Sequence, residues 1–327
     1  MNRFRARGYI FVDQRQDTEY GLLRAYTRLS FTRDNADAAA ALFEYAYVQL
    51  GGFTAGKFYN PYDTYYYSGG AAPLGLAGFG TKDDGNQNGV QYAASLGNGV
   101  TATVALMTGN ETKAAQNAVA ALTVAAQAAP DAIAAIELVQ SWGSFKVAGA
   151  LHQIRYVNSA IDTDYGMGVI SNVKFNLPMI AAGDFIAFGG QYAQGANTYG
   201  GITTANAFRA GQAAPVTADA IVNATTGVSK LSTTWGVNAG FLHVWSKTVD
   251  TNVYGAYQTY ENSGTGTVAA GTGKAKGWIV AQYTKWTPIV GLQYGVETGY
   301  RKMGGNLTTV GTDREDFFGR FRVQRDF

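Results

Sequence analysis

Pro288-Ile289-Val290-Gly291-Leu292-Gln293-Tyr294-Gly295-Val296-Glu297-Thr298-Gly299-Tyr300-Arg301-Lys302 alternates with a period of two. Val290, Leu292, Tyr294, Val296 and Tyr300 fall on one parity. Gln293, Glu297 and Arg301 fall on the other, with Gly291, Gly295 and Gly299 between them. In a pleated strand residues i and i+2 share a face, so the stretch predicts a strand that is apolar on one side and polar or bare on the other.

The same signature recurs outward from there. Residues 90–96 set Val90, Tyr92, Ala94 and Leu96 against Gln91, Ala93 and Ser95, and residues 100–108 set Val100, Ala102, Val104 and Leu106 against Thr101 and Thr103. Near the amino end Phe4, Ala6, Ile10 and Val12 alternate with Arg3, Arg5, Arg7, Asp13 and Arg15, after which Leu23, Ala25 and Leu29 oppose Arg24, Tyr26 and Arg28. Extended over the chain, the pattern predicts strands at 2–15, 19–33, 42–50, 53–59, 88–97, 99–109, 133–143, 144–158, 163–175, 182–195, 231–246, 247–261, 275–287, 288–302 and 314–327, which makes fifteen. Short polar or glycine turns at Gly51-Gly52, Gly97-Asn98-Gly99 and Trp286-Thr287-Pro288 alternate with long connections at 60–87, 110–132 and 196–230. Short turns at one end and long ones at the other are the pattern of outer-membrane barrels. The alanine-rich run from Ala114 to Ala135 favours helix by propensity, with Pro130 opening a new turn, and is expected as a surface-loop excursion.

A soluble sandwich or solenoid also alternates. Sandwich strands, however, bury one face against a second sheet, whereas arginines repeated on the second face of these strands need water, which a water-filled lumen supplies. No repeat of 20 to 50 residues supports a solenoid or propeller. Glycine supplies 42 of 327 residues, aromatics 13%, charged residues 15%, and there are six prolines and no cysteine. Without cysteine there is no disulfide framework and no thiolate metal or redox site. A mean hydropathy of -0.09 hides the membrane signal, because lipid-facing residues occupy only every second position of a transmembrane strand. Net charge of +2 is too mild for a nucleic-acid binder. His152 and His243 are the two histidines. They come with no Gly-x-Ser-x-Gly elbow, His-Glu-x-x-His helix, carboxylate-rich metal cluster or nucleotide-binding glycine loop, so neither an enzyme nor a cofactor is expected. His152 shares parity with Lys146 and two alanines, which reads as a lumen position. Trp142, Trp235, Trp245, Trp278 and Trp286 lie near predicted strand ends or faces, where aromatic girdles meet the lipid interface, with trimer contact or lumen as the other placements.

The carboxyl end, Phe317 to Phe327, alternates and finishes on an aromatic, with Phe321, Val323 and Phe327 on one parity. It resembles the last-strand signal that the barrel-assembly machinery recognises in outer-membrane proteins, with Arg325 standing where an apolar residue is usual. Residues Thr18-Glu19-Tyr20-Gly21-Leu22-Leu23-Arg24-Ala25-Tyr26, Phe43-Glu44-Tyr45-Ala46-Tyr47-Val48-Gln49-Leu50-Gly51-Gly52-Phe53 and Phe318 to Phe327 resemble the alphaproteobacterial porins, the trimeric type of brucellae and rhizobia. That resemblance implies a single all-β domain over 1–327: a transmembrane antiparallel barrel, sixteen-stranded in the family, that forms a homotrimer in the outer membrane among lipid and lipopolysaccharide. It further implies passive passage of small hydrophilic solutes, with no cofactor. One family strand precedes the equivalent of Arg3 to Arg15, so the chain is expected to lack strand one together with its signal peptide. The same resemblance makes 60–87 the loop that folds into the barrel and narrows the pore, its Asp63, Asp83 and Asp84 facing a wall of Arg3, Arg5, Arg7, Arg24 and Arg28. Tyr65, Tyr66 and Tyr67 pack that loop or offer stacking surfaces to sugars. A sugar-selective channel, an outer-membrane hydrolase and an adhesin stay open as alternatives.

Overall fold

The structure is a computed structural model that describes residues 4–34, 40–64, 85–109, 125–201, 218–223, 226–262, 273–305 and 314–327. Its strands are β1 (Arg5–Thr18), β2 (Gly21–Asp34), β3 (Ala40–Leu50), β4 (Phe53–Tyr59), β5 (Asn86–Gly97), β6 (Val100–Met107), β7 (Asp131–Gln140), β8 (Gly143–Ile154), β9 (Asp164–Asn176), β10 (Phe185–Gln194), β11 (Ala220–Val222), β12 (Ser229–Leu231), β13 (Thr233–Val244), β14 (Val249–Asn262), β15 (Gly273–Ile289), β16 (Leu292–Gly305) and β17 (Arg314–Arg325). Fifteen of them form one antiparallel sheet in sequence order, β1 through β10 and then β13 through β17; β11 and β12 make a separate hairpin. The fifteen predicted strands are those of the large sheet. The hairpin was not foreseen, because three residues per strand are too few to display alternation.

Two sequence expectations are corrected. The alanine-rich run is not helical where it is described, since Asp131 to Ala135 open β7 and pair with β6 and β8; residues 114–124 lie outside the described residues. Alternation at Ile133, Ala135 and Glu137 facing inward against Ala134 and Ile136 facing outward places the segment in the ladder, where tertiary pairing overrides propensity. The turn expected at Trp286-Thr287-Pro288 is also displaced. β15 continues through Pro288 at a register irregularity between Trp286 and Ile289, and the chain reverses at Val290-Gly291, where Gly291 adopts φ +80°. Only a residue without Cβ enters that left-handed region cheaply, while proline is tolerated where the ladder is interrupted.

Residues along each strand divide into two faces. On the outer face Val104, Leu106, Leu151, Val169, Val237, Val253, Val280 and Val296 are exposed, and the neighbouring parity is buried or polar. So much exposed apolar surface marks a lipid-facing exterior. All five tryptophans are exposed on the outside, which settles their placement against the lumen. Trp142, Trp245 and Trp286 sit at the short-turn end, with Trp142 against Phe175 and Trp286 against Tyr294. Trp235 and Trp278 sit toward the long connections, against Tyr257 and Tyr300. Trp278 and Trp286 are separated by about 26 Å along the strand, or about 20 Å in height at a tilt of about 40°, comparable with the apolar band of about 25 Å between the two girdles of a membrane barrel.

Gly56, in the middle of β4, has φ +126°, and a Cβ there would collide with the backbone of Ala46 and Tyr47 on β3. Gly56→Val is expected to cost about 1–3 kcal/mol through this strain. It would be read as a lower urea midpoint for the folded, fast-migrating band on unheated gels.

Candidate functional site: the inner wall and two inward-folded segments

The inner face of β6 to β10 sets small and aliphatic residues among a few buried polar ones, Asp131, Lys146, His152 and Gln191. Ala105, Met107, Ile133, Ala135, Ala148, Ala150, Ile170 and Ala193 are buried and pack with Phe58, Tyr62, Ala196 and Tyr199 into one cluster. Alanine at so many inward positions leaves room for chain to lie against the wall, and two segments do so.

The first follows β4. Asn60 starts it with an Asx turn, accepting from the Tyr62 N–H at 2.9 Å, and its side-chain amide bonds Gln87. The Lys146 ammonium on β8 donates to the Asp63 carbonyl at 2.5 Å, and the Gly85 N–H donates to the Asp63 carboxylate. The Tyr62 hydroxyl donates to the Tyr199 carbonyl at 3.0 Å, with the two rings 4.9 Å apart edge to face. Burial, with the nearby Asp63 charge, pushes this phenol well above its ordinary range and keeps it a donor.

The second segment, 195–201 with 218–222, was not foreseen. The Asn197 N–H donates to Asp219 at 2.7 Å, Thr234 donates to the Asn197 side chain at 2.8 Å, and Gln258 and Gln191 on the wall donate to the Gly200 carbonyl. Under it lies His152, fully buried, 2.9 Å from Asp131 and 3.7 Å from Asp219, while the Tyr199 hydroxyl donates to Asp131 at 2.7 Å. His152 is thus on the inner face as expected, sealed beneath this segment instead of lining free water. Inward-facing glutamine, asparagine and threonine on β10, β13 and β14 were the available signal, legible only after the inner parity is known.

The arginines gather on another part of the wall. In register, Arg15 lies opposite Arg24, Phe11 opposite Arg28, Arg7 opposite Thr32 and Arg5 opposite Asp34. Arg24 continues through Gln49 to the buried Thr54, which fixes this row as inward. Arg5, Arg7, Arg24 and Arg28 therefore share the inner face. Arg5 pairs with Asp34 at 2.6 Å, Arg24 with Asp13 at 2.8 Å and Arg28 with Glu44 at 3.0 Å, Glu44 projecting from a bulge in β3. Arg15 also reaches Asp13, and Arg301, Arg320 and Arg322 occupy the inward parity of β16 and β17, Arg320 3.6 Å from the buried Glu297 and Arg301 paired with Asp316 at 2.5 Å. Arg15 and Arg301 fall on the polar parity read from the sequence but were not assigned to the pore wall, and Arg320 and Arg322 were not singled out. Arg3, Asp83, Asp84 and Tyr65 to Tyr67 lie outside the described residues; Asp63 is buried against β8.

At the carboxyl end Phe321, Val323 and Phe327 are exposed on the outer face with Phe317. Arg325 shares that face at the rim, where its guanidinium donates to the Val290 carbonyl at 2.8 Å and stands over the Phe327 ring. A long side chain at the membrane edge can keep its charge in the interface, which accounts for arginine at this position.

His243 belongs to the outer, short-turn end, 2.7 Å from Asp184. Burial opposes ionisation of the Asp184 carboxyl, but hydrogen bonds from His243 and the Val244 N–H outweigh it and hold that carboxyl below its usual range. A depressed carboxyl contributes stability above its unfolded pKa and loses it as pH falls through the folded value. Asp184→Asn is therefore expected to lower the urea midpoint at pH 7 and to match the parent once the solution is acid enough to protonate Asp184.

Among the described residues no cluster of histidine and carboxylate has metal-binding geometry. No curated protein matches the chain. The solved channel DcaP of Acinetobacter baumannii is similar over 100% of this chain and 96% of its own, at 14% identity and TM-score 0.69. OmpF of Salmonella typhi, solved with daunomycin, aligns over 97% and 90% at 12% identity and TM-score 0.59. OmpT of Vibrio cholerae in its trimer form aligns over 99% and 97% at 9% identity and TM-score 0.52. At such identities the likeness speaks to fold, and all three are outer-membrane β-barrels. The sequence profile of the porin subfamily matches residues 1–319, and with a lipid-facing exterior around an arginine-bearing inner wall, the chain belongs to that family of outer-membrane channels.

Proposed function

We propose that the chain lets small hydrophilic solutes and ions diffuse passively across the outer membrane, with anions favoured. The observation that carries this reading is the inversion of polarity: valine, leucine and tryptophan outside, arginine and hydrogen-bonded polar groups inside. The arginine wall of β1 and β2 and the inward-folded segment that starts at Asn60 lie against different parts of the barrel, so the narrowest passage falls between them. The family resemblance adds Arg3, Asp83 and Asp84 to that constriction. Fixed charge of one sign along a narrow path raises the local concentration of counter-ions.

The assembly proposed is a homotrimer of the alphaproteobacterial type, in contact with lipid and lipopolysaccharide. The trimer form of OmpT, whose fold this chain shares, supports it. Phe327, Val323 and Phe321 present the terminal signal to the assembly machinery, Phe321 and Val323 exposed on one face of β17 and Phe327 exposed beyond its end. Single-channel recording in planar bilayers tests the whole reading: current rising in groups of three steps, with a zero-current potential on the anion side, is the expected result. Silent insertion of folded barrels would sink the open pore and leave an adhesin or hydrolase to be tested.

A further inference from the structure

We infer that the inner wall of β1 to β3 binds aromatic carboxylates, a flat ring carrying one anionic group, in preference to compact anions. The inference rests on reading this wall as pore lining and names the solute class that the wall selects.

The arginines here are interleaved with rings. The Arg28 guanidinium stands 4.3 Å from the Tyr9 ring centre and 5.8 Å from that of Tyr45, and Arg24 stands 4.9 Å from Tyr26 and 5.7 Å from Tyr47. Tyr26 is tilted 32° to Tyr47 and 73° to Tyr45, so these three rings splay, while Tyr9 lies parallel to Phe11 at 6.4 Å on the same face. The three splayed rings are only half-buried, although they lie on the water side of the wall. A porin selecting by charge alone has no use for aromatic faces beside its guanidiniums.

The charge is distributed to suit such a ligand. Asp13 is shared between Arg15 and Arg24, which leaves positive charge in excess at one end of the aromatic stretch. At the other end Arg7 contacts the hydroxyls of Thr32 and Tyr9, at 2.7 and 3.2 Å. Arg24 and Arg28 are four residues apart on one strand, about 13 Å. Compact anions such as phosphate want several donors converging on one point, and the point where two guanidiniums do converge is already filled by Asp13. Arg24 holds Asp13 through Nε and Nη2, and Arg28 faces Glu44 at 3.0 Å; a guanidinium so paired, with one face on a ring, has further N–H groups along its edge, and these are the ones that would hold a carboxylate in plane. The ligand's ring then meets the neighbouring tyrosine.

Current block in a planar bilayer tests this, with benzoate, acetate and benzyl alcohol as probes. One ring contact is worth between about two-fold and ten-fold in affinity. Benzoate is therefore expected to half-block the channel at a concentration lower than acetate by that factor, and benzyl alcohol to block less well than benzoate. Tyr9→Leu and Tyr26→Leu should each shrink the ratio of benzoate to acetate, Tyr26→Phe should retain it, and Arg28→Gln should weaken benzoate and acetate together. Equal block by benzoate and acetate, or a ratio indifferent to both leucine variants, overturns the proposal while leaving the pore intact. Should the protein insert without conducting, the pore reading fails by itself. Calorimetric titration of benzoate and acetate into the detergent-solubilised protein then decides the site: tighter saturable binding of benzoate upholds it, and no difference overturns it.

Discussion

Replacing Arg7, Arg24 and Arg28 by glutamate together is expected to reverse the sign of the zero-current potential in a potassium chloride gradient. These three carry inward charge on β1 and β2, and the nearby acids Asp13 and Glu44 offset only part of it. With glutamate at all three positions, Asp13 retains Arg15, Glu44 faces a second carboxylate, and the wall becomes net acidic. At 0.1 M salt the screening length is about 10 Å, on the scale of a pore radius, so the wall governs the ions that pass. At 1 M it falls to about 3 Å, and the difference between parent and variant should shrink accordingly. A potential that does not change would place the permeation path away from β1 and β2.

Tyr199→Ala is expected to have the second large effect, on stability and conductance together. Tyr199 is fully buried, holds Tyr62 edge to face and donates to Asp131 under the second inward segment. Removing a buried aromatic side chain costs about 3–5 kcal/mol, and here the loss falls on the contact that joins the two inward segments. The urea midpoint should drop, and single channels should become larger and noisier as both segments loosen. Tyr199→Phe keeps the ring and removes only the donor to Asp131, a loss of about 1–3 kcal/mol, and should leave the conductance near that of the parent. If Tyr199→Ala destabilises the barrel without altering the current, the junction of the two segments lies off the conducting path.

Alternation along a strand is a local property, so the fifteen strands of the sheet and the shared face of Arg5, Arg7, Arg24 and Arg28 could be read from the order of residues. What leans on that face depends on partners far away in the chain. Asn197 acquires its role only where Asp219 and Thr234 meet it, and His152 only beneath Tyr199 and between two aspartates. For the same reason the second inward segment escaped notice, whereas residues 60–64 open the 60–87 stretch that the family resemblance makes the constriction loop. The alanine-rich run misled in an instructive way. Alanine favours helix in isolation, but at Ala135, Ala148 and Ala150 it supplies the clearance that lets Tyr62 and Tyr199 lie against the wall.

Because one flank of the barrel is filled by those two segments and the arginines stand on another, the two sides of a passing molecule meet different surroundings. A solute whose charges are separated, a zwitterion for instance, experiences a torque as well as an attraction. Along the proposed path it would surrender rotational freedom on entering and travel with one end toward β1 and β2. Two isomers of equal size and net charge, differing only in the direction of their dipole relative to their long axis, would then cross at unequal rates.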